Sequence, residues 1–288
     1  MDLSIYGATG IIGKYYRGLF PGITIDKNQL DPESKRVLYL ISTTSNQNLK
    51  TDSFLDIDTN LVVLAQRLDA CRAAGITEFN FVSSWFVYGP HHRHPNENSF
   101  CDPNGFYSAT KHCAEKLVKE YCNEFGINWR ILRLGNVYGG PDKGSQKRNS
   151  LHFLIERLKK NGDIVVYKNL SRDFIHIMDT CRGINTVIEK GEYNHIYNIG
   201  TGIATTLQKC LEEAKLLLKS KSEIFPTKLP FQYPQAVEFS LDCRKIESLG
   251  FKPLIQIKEG IEDLCLNQRF RTPVRTLMEE KLKQQSKH

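Results

Sequence analysis

Apolar residues in this chain come in short runs that end on glycines or hydroxyl residues, and the runs alternate with longer stretches of helical spacing. Leu3-Ser4-Ile5-Tyr6 runs into Gly7 and Gly10 and is followed by Ile11-Ile12-Gly13-Lys14-Tyr15-Tyr16, the order strand, tight turn, helix that opens a parallel α/β sheet. Further short buried strands are predicted at Ile23 to Asp26, Val37 to Ser42, Phe79 to Ser83 and Trp129 to Leu134. The best helical patterns are Asn60 to Ala74, with Leu61, Leu64, Leu68 and Cys71 on one face and Gly75 at its C-terminal end, and Tyr107 to Phe125. This alternation predicts a doubly wound parallel sheet with right-handed crossovers.

The stretch from Lys27 to Arg36 is short and polar, so one β-α unit of such a sheet is expected to be missing there. Beyond about residue 140 the pattern loosens into Gly-, Lys- and Asn-rich loops, with a helix near Leu151 to Lys160 and strands around Ile164 to Tyr167 and Ile196 to Ile199. The expected division is a sheet domain of residues 1–140 plus about 174–202, a smaller and partly interleaved lobe of about 141–173 plus 203–268, and a charged tail over 269–288.

At 288 residues and 40% hydrophobic content the chain is long and apolar enough for a real core. No apolar run approaches the roughly 20 residues of a membrane span, and the N-terminus has no basic stretch before a long apolar run and no small-residue cleavage site, so a cytoplasmic protein is expected. The eight cysteines form no CxxC pair and read as reduced, mostly buried thiols. Basic residues giving the net charge of +7 are spread along the chain, which suits a small anionic ligand better than nucleic acid. The run His91-His92-Arg93-His94 lies in a Pro-rich stretch without ligand spacing to another cluster, and it is read as a solvated loop with no metal.

Chemistry concentrates at two motifs. In Gly7-Ala8-Thr9-Gly10-Ile11-Ile12-Gly13 the glycines fit a turn, a close backbone approach and tight helix packing, so that the amides and the helix N-terminus can hold a pyrophosphate. Asp26 ends the second strand where a carboxylate binds adenosine ribose hydroxyls, which points to NAD; Lys27 beside it offers a partner for a 2′-phosphate and keeps NADP open, and Asp26 as a plain turn residue stays the bland alternative.

The second motif is Tyr107-Ser108-Ala109-Thr110-Lys111, whose spacing of four puts phenol and ammonium on one helical face. The Lys111 charge is expected to lower the Tyr107 pKa and make Tyr107 a usable acid/base. Upstream, Phe81-Val82-Ser83-Ser84-Trp85-Phe86-Val87-Tyr88-Gly89 reads as a buried strand ending in two hydroxyls at the sheet's C-terminal edge. Ser84 is read as the hydroxyl that bonds the reacting oxygen, and Ser83 as a structural hydroxyl at the strand end.

With these residues the chain resembles the extended short-chain dehydrogenase/reductases, the family of NAD-dependent nucleotide-sugar epimerases, dehydratases and reductases. The resemblance runs over about residues 1–266 and includes the helix around Asn60, Arg133-Leu134-Gly135-Asn136-Val137-Tyr138-Gly139, Arg172-Asp173-Phe174-Ile175-His176-Ile177-Met178-Asp179 and Tyr197-Asn198-Ile199-Gly200-Thr201-Gly202. It implies a Rossmann fold with a substrate-binding lobe, and a reaction in which Tyr107 exchanges a sugar hydroxyl proton while nicotinamide exchanges hydride. It implies that Lys111 grips the nicotinamide ribose, that Asn136 and Arg172 contact the substrate's phosphate or nucleotide, and that Asn60 lies near the nicotinamide end. Ser42 and Ser83 are placed with Gly7, Thr9, Gly10, Ile11, Ile12, Gly13 and Asp26 on the cofactor side; Arg172 as a surface ion-pair residue is the alternative. The helices Asn60 to Ala74 and Tyr107 to Phe125 resemble the pair through which the family forms dimers, so a homodimer is expected.

Departures sharpen the expectation. Where sugar 4,6-dehydratases carry an Asp-Glu pair after the Ser84 position this chain has Trp85 and Phe86, which move no proton. Trp85 likewise replaces the Cys of members that epimerise carbons 3 and 5. Phe231-Gln232-Tyr233-Pro234-Gln235 stands where a second Arg usually meets the diphosphate. Phe86 is expected to pack, and Tyr88 and His152 are left between pocket and core. The reading is a nucleotide-sugar epimerase working by hydride transfer at carbon 4, with a 4-keto-sugar reductase second and a non-catalytic NAD(P)-binding protein third, the last disfavoured because Ser84, Tyr107 and Lys111 are all present.

Overall fold

The computed structural model describes residues 2–52, 54–140, 150–230 and 235–266. The charged tail and Phe231 to Pro234 lie outside the described residues. Strand β1 (Ser4–Tyr6), helix α1 (Ile11–Leu19), β2 (Ile23–Ile25) and β3 (Arg36–Tyr39) begin the chain. A short turn of helix α2 (Leu55–Ile57) leads through a π-helical turn, Asp58–Val62, into α3 (Val63–Ala73), followed by β4 (Glu78–Ser84), α4 (Phe106–Glu124), β5 (Asn128–Leu134) and β6 (Asn136–Tyr138). The rest comprises α5 (Ser150–Lys159), β7 (Ile164–Tyr167), β8 (Ser171–His176), α6 (Ile177–Lys190), β9 (His195–Ile199), β10 (Ala204–Thr206), α7 (Leu207–Leu218), β11 (Ile224–Thr227), α8 (Arg244–Glu247) and α9 (Ile257–Leu266).

A parallel sheet runs in the order β2-β1-β3-β4-β5-β9, with Ile5 between Thr24 and Leu38 and Phe81 between Tyr39 and Ile131. Because successive side chains point to opposite faces of a strand, each run supplies two cores. Ile5, Leu38, Leu132 and Leu134 join Tyr16 of α1 and Ile184 and Val187 of α6 on one face. Tyr6, Val37, Tyr39, Phe81 and Ile131 join Leu64 and Leu68 of α3 and Val118 of α4 on the other. The expected doubly wound α/β fold is therefore present.

Between β2 and β3 the described residues contain no helix and no further strand. The bypass is nonetheless held: Ser4 Oγ accepts from the Glu33 and Ser34 amides at 2.9 and 2.8 Å, Tyr6 donates to the Leu30 carbonyl, and buried Arg67 donates to the carbonyls of Lys27 and Gln29. Beyond the sheet, α5, α7 and α9 enclose their own core around Leu151, Ile155, Leu211 and Ile261. Strand β8 links this region to the sheet, pairing with β6 in parallel and with β10 antiparallel, and it straddles residue 174, where the sequence suggested a boundary. Among the described residues no helix is long and apolar enough to cross a membrane, and no group of three or more His, Cys, Asp or Glu is arranged to hold a metal ion.

Candidate active site

At the C-terminal ends of β1, β3, β4 and β5 the walls part around a cavity of about 510 Å³, the crevice where doubly wound sheets take their ligands. Gly7, Thr9, Gly10, Ile11, Ile12, Gly13, Ser42, Ser83, Ser84, Tyr107, Lys111 and Asn136 all line it. Asp26, Asn60 and Arg172 do not.

The first wall is the turn from β1 into α1. Gly7 has φ +78, the left-handed region that L side chains avoid. A Cβ on Gly13 would stand 2.6 Å from Ala8 Cα and 2.6 Å from the Gly7 carbonyl oxygen, so the helix can seat on the turn only because Gly13 has none. A Cβ on Gly10 would meet only the Gly7 carbonyl, at 3.2 Å, and would otherwise point into open space. No side chain caps α1 and no acid stands in its first turn, so its N-terminal amides remain available to an anion. This cradle fits a dinucleotide pyrophosphate.

The second wall carries the reactive side chains. Tyr107 and Lys111 lie one turn apart on α4, both buried. Lys111 Nζ donates to the Val82 carbonyl at 2.8 Å and sits 4.2 Å above the Phe81 ring. Burial pushes the Lys111 ammonium down to about 7, against the charge of Glu115. Burial pushes the Tyr107 phenol up to about 12; the hydroxyls of Ser84 and Ser42 oppose this and the Asp56 carboxylate adds to it. The expected lowering of Tyr107 by Lys111 is thereby corrected. In the protein alone desolvation dominates, and the lysine is itself drawn toward neutrality against a carbonyl and a ring.

Ser84 caps the 3₁₀ turn Trp85–Tyr88, accepting from the Phe86 amide at 3.4 Å, and faces the cavity. Ser83 turns its hydroxyl inward to Glu115 Oε1 at 2.6 Å, which agrees with its reading as a structural hydroxyl and leaves only the rest of the residue for the cavity. Glu115 is buried and takes a bidentate pair of bonds from Arg133 at 3.0 and 2.7 Å. Burial alone would raise its carboxyl, but Arg133 and Ser83 hold it below the ordinary carboxylate range. The ion pair thus anchors both α4 and the end of β4.

Asn60 sits buried on the π-helical turn, behind the cavity wall. Its Oδ1 accepts from Ser42 Oγ at 3.1 Å and the Thr43 amide at 3.0 Å, while its Nδ2 donates to Thr43 Oγ1 at 2.8 Å and Thr110 Oγ1 at 3.0 Å. One amide therefore ties the loop after β3 to α4. Asn46 does similar work, accepting from the Ser108 amide at 3.2 Å in the first turn of α4, whose own N-cap is Gly105. Asp26 is exposed and accepts from the Asn28 amide at 2.9 Å, a turn-closing contact. Arg172 is buried beside the cavity, its guanidinium 5.1 Å from the Trp85 ring and its Nη1 on the carbonyls of Ser171 and Ala236 at 2.7 and 2.8 Å. Asn136 Nδ2 is buried and lacks a partner among the described residues, a polar group in the cavity lining with a hydrogen bond to give.

The motif blocks beyond residue 170 prove to be braces. The Asp173 carboxylate accepts from the amides of Thr201, Gly202 and Leu241. Asp179 accepts from those of Leu254 and Ile255, and His176 caps α6 through the Met178 amide. Tyr88 is fully buried on Asn198, whereas Phe86 lines the cavity. Thr43 and Thr44 also line it and were not predicted, although they follow a strand end as Ser42 does.

The family model of the NAD-dependent epimerase/dehydratase family matches residues 28–200, more than half of the chain. The chain belongs to this family. It is thereby an enzyme of the extended short-chain dehydrogenase/reductase type, and NAD is the cofactor of its family. It is 30% identical over 211 residues to a putative UDP-glucose 4-epimerase of Methanocaldococcus jannaschii, covering 72% of this chain and 68% of that protein. It is 29% identical over 203 residues to the dTDP-D-glucose 4,6-dehydratase of Mus musculus, covering 68% of this chain and 56% of that protein. In fold it matches the UDP-glucose 4-epimerase of Thermus thermophilus in complex with NAD, with TM-score 0.80, 21% identity and coverage of 94% of this chain and 100% of that one. Where the sequence resemblance places the Asp-Glu pair of dehydratases, this epimerase/dehydratase-family chain has Trp85 and Phe86, with the Trp85 ring packed between those of Phe86 and Phe239 at 4.3 Å from each.

Proposed function

We propose that this enzyme is a nucleotide-sugar epimerase that oxidises and re-reduces one sugar carbon, carbon 4, in carbohydrate biosynthesis. The observation that carries the reading is the cavity lining: a pyrophosphate cradle at one end, Ser84, Tyr107 and Lys111 at the other, and no Asp, Glu or His among the described residues between them. Tyr107 is the group placed to exchange a proton, so chemistry that needs a second acid or base on the sugar, such as dehydration, is disfavoured.

In this mechanism Ser84 Oγ hydrogen-bonds the reacting sugar oxygen and Tyr107 Oη gives or takes its proton. Lys111 Nζ, freed from the Val82 carbonyl, holds the nicotinamide ribose. The α1 turn with Gly7, Thr9, Gly10, Ile11, Ile12 and Gly13 holds the pyrophosphate, Asp26 the adenosine ribose, and Ser42 and Asn60 fix the nicotinamide end. Asn136 Nδ2 and Arg172 meet the substrate's diphosphate or nucleotide. Bound NAD supplies the hydride acceptor and donor. The lobe of α5, α7 and α9 carries the sugar and nucleotide contacts.

A reductase of a nucleotide 4-keto sugar is the second reading, favoured by the trimmed bypass at the adenosine side, which suits a cofactor that exchanges. The enzyme pairs with a second copy through α3 and α4, where Val62 just before α3 and Leu117 on α4 stay exposed, and it works in the cytoplasm, where free thiols such as its eight cysteines stay reduced.

The deciding experiment is an absorbance spectrum and denaturing release assay on the purified protein, followed by a panel of nucleotide sugars with and without added NADH or NADPH. Retained NAD with sugar interconversion and no added cofactor establishes the epimerase. An empty protein that consumes reduced cofactor only with a keto sugar establishes the reductase and shows whether NAD or NADP is its coenzyme.

A further inference from the structure

Phe86 stands at the reacting end of the cavity, and the reading above leaves it without a role. Its ring meets Tyr107 edge-on, with centroids 5.8 Å apart and planes at 80°, so a sugar whose oxygen reaches the Tyr107 phenol lies beside the Phe86 ring. Phe86 is itself fixed from behind. Its ring lies 4.3 Å from that of Trp85, which is 2% exposed and packed in turn against Phe239 at 4.3 Å. Val82, Leu134 and Val137 line the same cavity, alongside the hydroxyls of Ser42, Thr43, Thr44 and Ser84 and the amide of Asn136.

No Asp, Glu, His or Arg among the described residues lines the cavity. Its cations are Lys14, on the pyrophosphate helix, and Lys111, which the reading above commits to the nicotinamide ribose. Arg172 is not in the lining, and its Nη1 is bonded to backbone carbonyls. A hydroxymethyl pressed on the Phe86 ring loses hydrogen bonds to water on that side, and a carboxylate loses more, while Ser84 and Asn136 are engaged with the reacting oxygen and the substrate's diphosphate or nucleotide in the reading above. Ring carbons of a sugar carry hydroxyls that need partners. Carbon 5, the neighbour of carbon 4, carries the one substituent that can match an apolar aromatic wall, the exocyclic carbon 6, when it is a methyl.

We infer that Phe86, backed by Trp85, is a specificity-determining residue that selects a nucleotide-activated 6-deoxy sugar over one bearing a hydroxymethyl or carboxylate at carbon 6. This rests on the nucleotide-sugar reading proposed above. A hydrophobic wall rejects an added hydroxyl only moderately, so the preference in kcat/KM is expected to be on the order of 10- to 100-fold.

The test compares UDP-6-deoxyglucose, UDP-glucose and UDP-glucuronate, with the thymidine-diphosphate counterparts of each, on the full-length enzyme with its cofactor. Turnover is followed by product analysis and binding by quenching of tryptophan fluorescence. Wild type is expected to favour the 6-deoxy sugar in both readouts. Phe86→Gln is expected to bring the ratio of 6-deoxy to hydroxymethyl sugar close to one, while Phe86→Leu, still apolar, keeps it and controls for folding. Equal use of the sugars by wild type, preference for UDP-glucose or UDP-glucuronate, or a ratio that Phe86→Gln leaves unchanged overturns this inference alone. Neither turnover nor binding of any of the six overturns the nucleotide-sugar reading and this inference with it.

Discussion

The two ends of the cavity are built from different material. At α1 the wall is backbone, shaped by the side chains that Gly7, Gly10 and Gly13 lack. At α4 it is side chains, each held by a buried neighbour: Lys111 by the Val82 carbonyl, Ser83 and the end of β4 by Glu115, Glu115 by Arg133. The first end depends on atoms left out and the second on partners kept. Substitutions at the two ends should therefore fail in different ways.

The largest effect is expected at the ion pair. Glu115→Ala leaves the Arg133 guanidinium buried and unpaired and should destabilise the protein by about 3–5 kcal/mol in urea unfolding. A loss below about 1 kcal/mol would mean that Arg133 finds another partner and that the anchor is not electrostatic. Next comes Tyr107→Phe, which is expected to cut turnover by at least ~100-fold while NAD affinity stays nearly intact. Unchanged turnover would end the role proposed for Tyr107.

The glycines separate shape from binding. Gly13→Ala drives a methyl into Ala8 and should cost about 1–3 kcal/mol of stability. Gly10→Ala should fold almost normally and lose cofactor affinity, because its new methyl enters the cradle itself. Equal stability losses in the two variants would contradict this division.

Lys111 gives a smaller, pH-dependent signature. In the fold it releases its proton near pH 7, and in the unfolded chain near the ordinary 10.5. Between those values the unfolded chain binds more protons, so cofactor-free stability should rise with pH across that window, by at most about 1.4 kcal/mol per pH unit from this group. Lys111→Met should flatten the slope, as measured by thermal unfolding at a series of pH values. The smallest change is expected at Asp26: Asp26→Ala should alter stability by no more than about 0.5 kcal/mol, while titration with NAD and NADP shows whether the carboxylate reads the ribose.

The same contrast explains how much could be read from the sequence. The glycine turn, the pair Tyr107 and Lys111, and the missing unit between β2 and β3 were legible because they rest on local spacing. Strand β3 was drawn to Ser42 but its ladder ends at Tyr39, since the residues beyond it leave the sheet to form the cavity wall. The helix at Asn60 was drawn too short: it begins at Leu55 and passes through a π-helical turn that local periodicity does not mark. Helix α6 and strand β8 went unseen behind Arg172 to Asp179, whose polar residues look like surface and are buried as braces. The electrostatics of Tyr107 were misjudged because spacing places a charge near a phenol without saying how dry the place is.

The bypass after β2 also bears on how the protein behaves when crowded among its own copies. A sheet edge presents unpaired amides and carbonyls on which another chain can add a strand. One edge of this sheet is β2, Ile23–Ile25, and it turns away at once into Asp26 and the exposed Lys27, with Arg67 clasping the turn. A template so short, ending on charge, gives a stray strand little to register on. At this margin the shortened sheet is thus expected to resist edge-to-edge pairing at high concentration.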